Sequence, residues 1–86
     1  MKKEIGKYVS EELRSLRSIL NKSVEDVAKS TKINKDTIYR YERDASSIKL
    51  YILESLLNYY GISFFVFVAN IDDRLQKNHK LKVKKN

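Results

Sequence analysis

Ser23-Val24-Glu25-Asp26-Val27-Ala28-Lys29-Ser30-Thr31-Lys32-Ile33-Asn34-Lys35-Asp36-Thr37-Ile38-Tyr39-Arg40-Tyr41-Glu42-Arg43 is the stretch on which the reading of this chain turns. Val24, Val27, Ala28 and Thr31 would face inward from a short helix, and Ser23 followed three residues later by Asp26 has the pattern of a capping box at its start. Ile33 is an apolar plug in a tight turn, and Asn34 is a good N-cap for a following helix that runs to about Arg43. A wheel of that second helix puts Ile38 and Tyr41, with Thr37 beside them, on one side. Lys35, Asp36, Tyr39 and Arg40 fall on the opposite arc.

Toward the N-terminus, Val9, Leu13, Leu16 and Leu20 lie at intervals of four, three and four residues, one stripe of a helix. Ile5 extends the stripe backwards, whereas Ser10 followed by Glu11 and Glu12 reads as a second candidate start. Asn21 suits a left-handed C-terminal position. Toward the C-terminus, Asp44-Ala45-Ser46-Ser47 is a loop. Leu50, Leu53, Leu56, Leu57 and Tyr60 then mark a fourth helix that Gly61 ends. Beyond it Ile62-Ser63-Phe64-Phe65-Val66-Phe67-Val68-Ala69 is rich in β-branched and aromatic residues, is bounded by Asn70-Ile71-Asp72-Asp73, and reads as a strand over residues 62–71 at most. A lone strand needs hydrogen-bond partners. The most economical partner is the same strand of a second copy, which assigns Ile62, Phe64, Phe65, Val66, Phe67 and Val68 to a homodimer interface. The competing reading is a fifth core helix. No apolar period survives from Arg74 on, so residues 72–86 are expected to form a basic, frayed tail.

Two short helices joined at Thr31-Lys32-Ile33 make a helix-turn-helix over about residues 23–43, the arrangement in which the second helix lies in the DNA major groove. The exposed arc has suitable chemistry. A guanidinium can grip guanine O6 and N7, a carboxylate can accept from cytosine N4, and an aromatic ring can touch a thymine methyl. Lys32, Arg43 and Lys49 lie near the rim, where phosphates would be. An amphipathic helix with a solvated polar face accounts for the same periodicity.

The segments Leu13-Arg14-Ser15-Leu16-Arg17, Ser23 to Ala28, Ile33 to Arg43 and Leu50 to Ser63 together resemble the lambda repressor and Cro type of helix-turn-helix regulator, the XRE family. The resemblance runs from about Val9 to Ser63 and implies a mainly α, lambda-repressor-like domain of four to five short helices within residues 1–61. It implies a salt bridge between Arg17 and Glu42, base-edge contacts by Lys35, Asp36 and Arg40 with Tyr39 nearby, and phosphate contacts by Asn34 and Arg43. Departures are Val24 in place of a phosphate-clamping Gln, Lys32 in place of a turn Gly, Lys22 where an apolar residue is common, and Ile48 in place of Pro. Asp36 sets an anion against a polyanionic groove, tolerable only opposite cytosine. Tyr60 to Asn70 is similar to the C-terminal strand of HipB-type antitoxins, which pairs across a dimer.

Composition bounds the rest. At 86 residues the chain is one small domain, which dimerisation would help to stabilise. It has no Cys, so disulfides, thiolate metal sites and cysteine nucleophiles are excluded together. Net charge is +7, but residues 1–73 hold 12 basic and all 11 acidic residues, whereas Arg74, Lys77, Lys80, Lys82, Lys84 and Lys85 are expected to have no acid beside them. A basic pI is therefore not by itself evidence of a docking face. The only histidine is His79, in the expected tail, and there is no phosphate-cradling Gly-rich loop or metal-ligand spacing. No enzyme, cofactor or metal is expected. Without an apolar leader or membrane-length run, a cytoplasmic protein is the default expectation.

The function expected is sequence-specific binding of double-stranded DNA by a dimeric repressor at a near-palindromic operator. Two alternatives stand beside it. One is an antitoxin that represses its own operon and holds a toxin partner; the other is a helix-turn-helix fold used for protein contacts without DNA.

Overall fold

Five helices follow one another in the chain: α1 (Lys3–Ile19), α2 (Val24–Thr31), α3 (Lys35–Arg43), α4 (Leu50–Tyr60) and α5 (Phe64–Val83). The computed structural model describes the backbone of residues 3–83 and the side chains of residues 4–78. Lys84 and Lys85, and the side chains of His79, Lys80 and Lys82, lie outside the described residues.

The boundaries have local causes. Asn21 (φ 57°) and Lys32 (φ 68°) adopt the left-handed conformation at the ends of α1 and α2, and Gly61 (φ 74°) does so after α4. At the start of α2 the Asp26 N–H donates to Ser23 Oγ (3.0 Å) while the Ser23 N–H donates to Asp26 Oδ2 (3.1 Å). These Ser23 contacts hold the Asp26 carboxyl below its ordinary pKa. Asn34 caps α3, its Oδ1 accepting the Asp36 N–H at 2.7 Å.

Leu13, Val27, Ile38 and Leu56, at most 2% exposed, bring α1, α2, α3 and α4 to one core, which Phe67 and Ile71 join from α5. α3 packs on α1 and α2; α5 packs on α1 and α4. Gly6 permits a close approach that the sequence pattern did not flag. A Cβ there would stand 2.5 Å from Ser46 Oγ and 2.7 Å from Ser46 Cα, so the first turns of α1 rest directly on the α3–α4 loop. Ser10 and Glu12 are buried inside α1, and the second candidate helix start at Ser10 is therefore wrong.

The C-terminal expectation is corrected most. Within the strand expected over Ile62–Ala69, Phe64 to Ala69 instead begin α5 and Ile62 and Ser63 lie in the connection before it; no strand occurs among the described residues. Ser63 opens the helix, its Oγ accepting the Val66 N–H (3.0 Å) and its carbonyl the Phe67 N–H (3.0 Å). Phe67, Ile71 and Leu75, four residues apart, pack on the core, so Ile71 continues a helical stripe rather than ending a strand. A helix satisfies its own backbone groups, which removes the need for a second strand. Phe67 is 1% exposed, a core residue rather than a dimer-interface residue, and Ile62 is half-buried against the same core. The frayed tail expected over residues 72–86 is likewise helical as far as Val83. Arg74 and Lys77 do have acidic partners: Arg74 reaches Glu11 and Glu12 of α1, and Lys77 pairs with Asp73 (3.3 Å).

Candidate nucleic-acid interface

α3 is short, nine residues, and its geometry is imposed at both ends. At its entry, the Thr31 hydroxyl donates to the Val27 carbonyl (2.8 Å) and accepts the Ile33 N–H (3.2 Å), while the Lys32 N–H donates to the Ala28 carbonyl (2.8 Å). Ile33 is 9% exposed and plugs the turn. Lys32 holds a backbone conformation that costs a residue with a Cβ roughly 1 kcal/mol. Lys32→Gly is accordingly expected to stabilise the fold by up to about 1 kcal/mol, read as a higher urea midpoint.

At its exit α3 hangs from α1. The Ser10 hydroxyl donates to the Tyr41 carbonyl (2.8 Å), and Arg14 Nη1 donates to the Glu42 carbonyl (2.6 Å). Arg17 donates to both carboxylate oxygens of Glu42, from Nε at 2.7 Å and from Nη2 at 2.9 Å. Its Nη1 also reaches the Lys22 carbonyl (2.9 Å), fastening the α1–α2 turn. The Glu42 side chain is 7% exposed, so this bidentate pair is largely withdrawn from water. Glu42 raises the Arg17 pKa, chiefly through the hydrogen bond. Burial keeps the neighbouring Tyr60 phenol protonated well above its ordinary range. Neither Ser10, read from the sequence as a helix cap, nor Arg14 was expected to hold α3; with Arg17 they recur at intervals of four and three, a polar stripe beside the apolar one.

Between these ends, Ile38 and Tyr41 (1% and 4% exposed) face the core, and Lys35, Asp36, Tyr39 and Arg40 face solvent on the other arc. The Arg40 guanidinium lies 4.9 Å from the Tyr41 ring centroid, a cation–π contact that braces its stem without using its donors. Lys35 stands 3.8 Å from Glu25, both side chains more than half exposed, so the pair restrains Lys35 little. Lys32, Asn34 and Arg43 are exposed at the two ends of α3, and Lys49 at the N-cap of α4 on the far side of the loop. Within that loop Asp44 Oδ1 accepts from the Ser46 N–H (3.0 Å) and hydroxyl (2.6 Å). Val24 is 2% exposed, turned into the core, so the first turn of α2 presents no side chain at that position.

The exposed arc of α3 offers hydrogen-bond donors, an acceptor and an aromatic ring, the groups recognition of a base edge requires. Among the described residues no group of three or more His, Asp or Glu side chains could hold a metal ion. No single helix among them is long and apolar enough to cross a membrane.

The model of a family described as a helix-turn-helix domain matches residues 9–63, from within α1 to the residue before α5. No curated protein matches the chain, and no solved structure does.

Proposed function

The chain belongs to the helix-turn-helix domain family, and on that premise we propose that it is a sequence-specific transcriptional repressor that binds a near-palindromic operator as a dimer. α3 enters the major groove. Arg40 grips a guanine, Asp36 accepts from a cytosine, and Lys35 and Tyr39 touch neighbouring base edges. Lys32, the Asn34 amide, Arg43 and Lys49 take phosphates on either side and set the register. The observation that supports this most is the outward arc of α3, where four side chains of base-reading chemistry are exposed on a helix held at both ends.

The second copy docks on the first turns of α5. Phe64, Phe65, Val66 and Val68 are 59%, 81%, 46% and 44% exposed, an apolar face uncommon on a monomer. The two-fold would set the recognition helices about 34 Å apart, one turn of duplex. Repression follows from occlusion of the promoter. Under the antitoxin reading a toxin also binds this chain, and mixing it with the product of a neighbouring gene distinguishes the two.

Binding-site selection from a random duplex pool tests the proposal. The protein should enrich a palindrome, and Arg40→Ala should lose about 1–3 kcal/mol on it while relaxing one base position. Equal loss on every sequence would assign Arg40 to phosphate. Lys32→Gly should weaken all sequences alike even as it stabilises the fold. The inward turn of Val24 favours the protein-contact reading. If that reading holds, affinity for random duplex will lack the steep negative dependence on salt that phosphate contacts produce.

A further inference from the structure

α1 grips a different helix on each of two sides. Ser10, Arg14 and Arg17 hold the C-terminal turn of α3. Away from that arc, the Glu12 carboxylate, 8% exposed, faces α5. One of its oxygens accepts from Arg74 Nε (3.1 Å) and Nη2 (2.8 Å), and the other from Asn70 Nδ2 (2.8 Å). The remaining guanidinium nitrogen, Nη1, reaches Glu11 Oε1 at 3.3 Å. Every nitrogen of Arg74 is thus spent on two adjacent carboxylates of α1. Neither Glu12 nor Arg74 was marked as functional by the sequence pattern.

Attraction between apolar side chains is non-directional. Phe67, Ile71 and Leu75 bring α5 to the body, but apolar ridge packing of this kind leaves about 15–20° of scatter in the crossing angle. A guanidinium fork on a buried carboxylate is directional, and such groups are better suited to specifying an arrangement than to strengthening it. The clasp lies one to two turns beyond the exposed apolar face at Phe64–Val68.

We infer that Arg74 is a positioning residue for operator spacing: by locking α5 to α1 through Glu12 and Glu11, it fixes the separation of the two recognition helices in the dimer. The protein then accepts one spacer length between half-sites. The inference rests on the dimeric DNA-binding reading above. One extra base pair displaces a half-site by about 3.4 Å and rotates it by about one-tenth of a turn. A clasp that admits a single register transmits that mismatch to the dimer contact, whereas a loosened one absorbs it.

The test is binding-site selection with the full chain, comparing wild type, Arg74→Lys, and the double variant Glu12→Gln with Arg74→Met. Circular dichroism and sedimentation report folding and dimerisation in parallel. Lysine keeps the charge beside Glu12 but cannot bridge both carboxylates; the double variant removes the buried charge pair. Wild type should enrich one spacer. The variants should stay folded and dimeric and keep the same half-site, but spread over neighbouring spacers, with preference for the best spacer falling by about tenfold. Spacing as narrow as in wild type in both variants would overturn the inference and leave the dimeric reading intact. A wild type that enriches half-sites with no fixed spacing would overturn the dimeric reading itself. Unfolding of both variants would make the clasp a stability element and also overturn the inference.

Discussion

Phe67→Ala should cost about 3–5 kcal/mol of folding stability, the usual range for emptying a buried aromatic site. Phe67 is 1% exposed where α5 meets the core, and it is among the largest fully buried side chains. On a domain of this length each kcal/mol is worth roughly 4–8 °C in melting temperature, so the loss takes much of the stability such a domain has. Phe65→Ala is the control. At 81% exposure, Phe65 should change monomer stability by no more than about 0.5 kcal/mol, and its effect should appear in self-association. The pair separates two folds. In a strand, residues 65 and 67 point to the same face and would respond alike; in a helix they lie about 200° apart. Urea unfolding at low protein concentration, with sedimentation alongside, reads both effects. Equal losses would contradict the helical α5.

Arg17→Ala should cost about 2–4 kcal/mol. Removing one partner of a buried ion pair strands the other charge, typically at about 3–5 kcal/mol, and partial exposure of the Arg17 side chain (21%) relieves some of it. Glu42, 7% exposed, would lose both charge-assisted hydrogen bonds from Arg17, and the Lys22 carbonyl would lose a third. Arg17→Lys keeps a charge but not the fork, so an intermediate loss is expected. A double-mutant cycle with Glu42→Gln isolates the pair. If Arg17→Ala shifts stability by less than about 0.5 kcal/mol, the pair is a solvated contact of the kind common on surfaces and does not anchor α3.

The recognition unit was legible because its signals are local. Ser23 and Asp26, Asn34 and Asp36, and the left-handed residues at Asn21, Lys32 and Gly61 act within four residues of the backbone they close. Ile38 and Tyr41 face inward because helical spacing leaves them no other arc. The supports of that unit were less legible. Ser10 and Arg14 bond to backbone carbonyls 31 and 28 residues away, and a carbonyl has no side-chain identity to match. Arg74 and Glu12 are 62 residues apart, and a basic residue at the start of a cationic segment looks the same whether it meets solvent or a buried acid.

Ser23 to Arg43, read alone, therefore determined the turn, the helix after it and the arc that faces outward, since each follows from hydrogen bonds and spacing inside a few turns of chain. Tertiary structure decided the fate of residues 62–83. The local preference of Phe64 to Val68 is extended, but the core needs Phe67, Ile71 and Leu75 on one face, and Glu12 needs the donors of Asn70 and Arg74. Burial and charge pairing outweighed a β-propensity worth only about 1 kcal/mol across its whole scale.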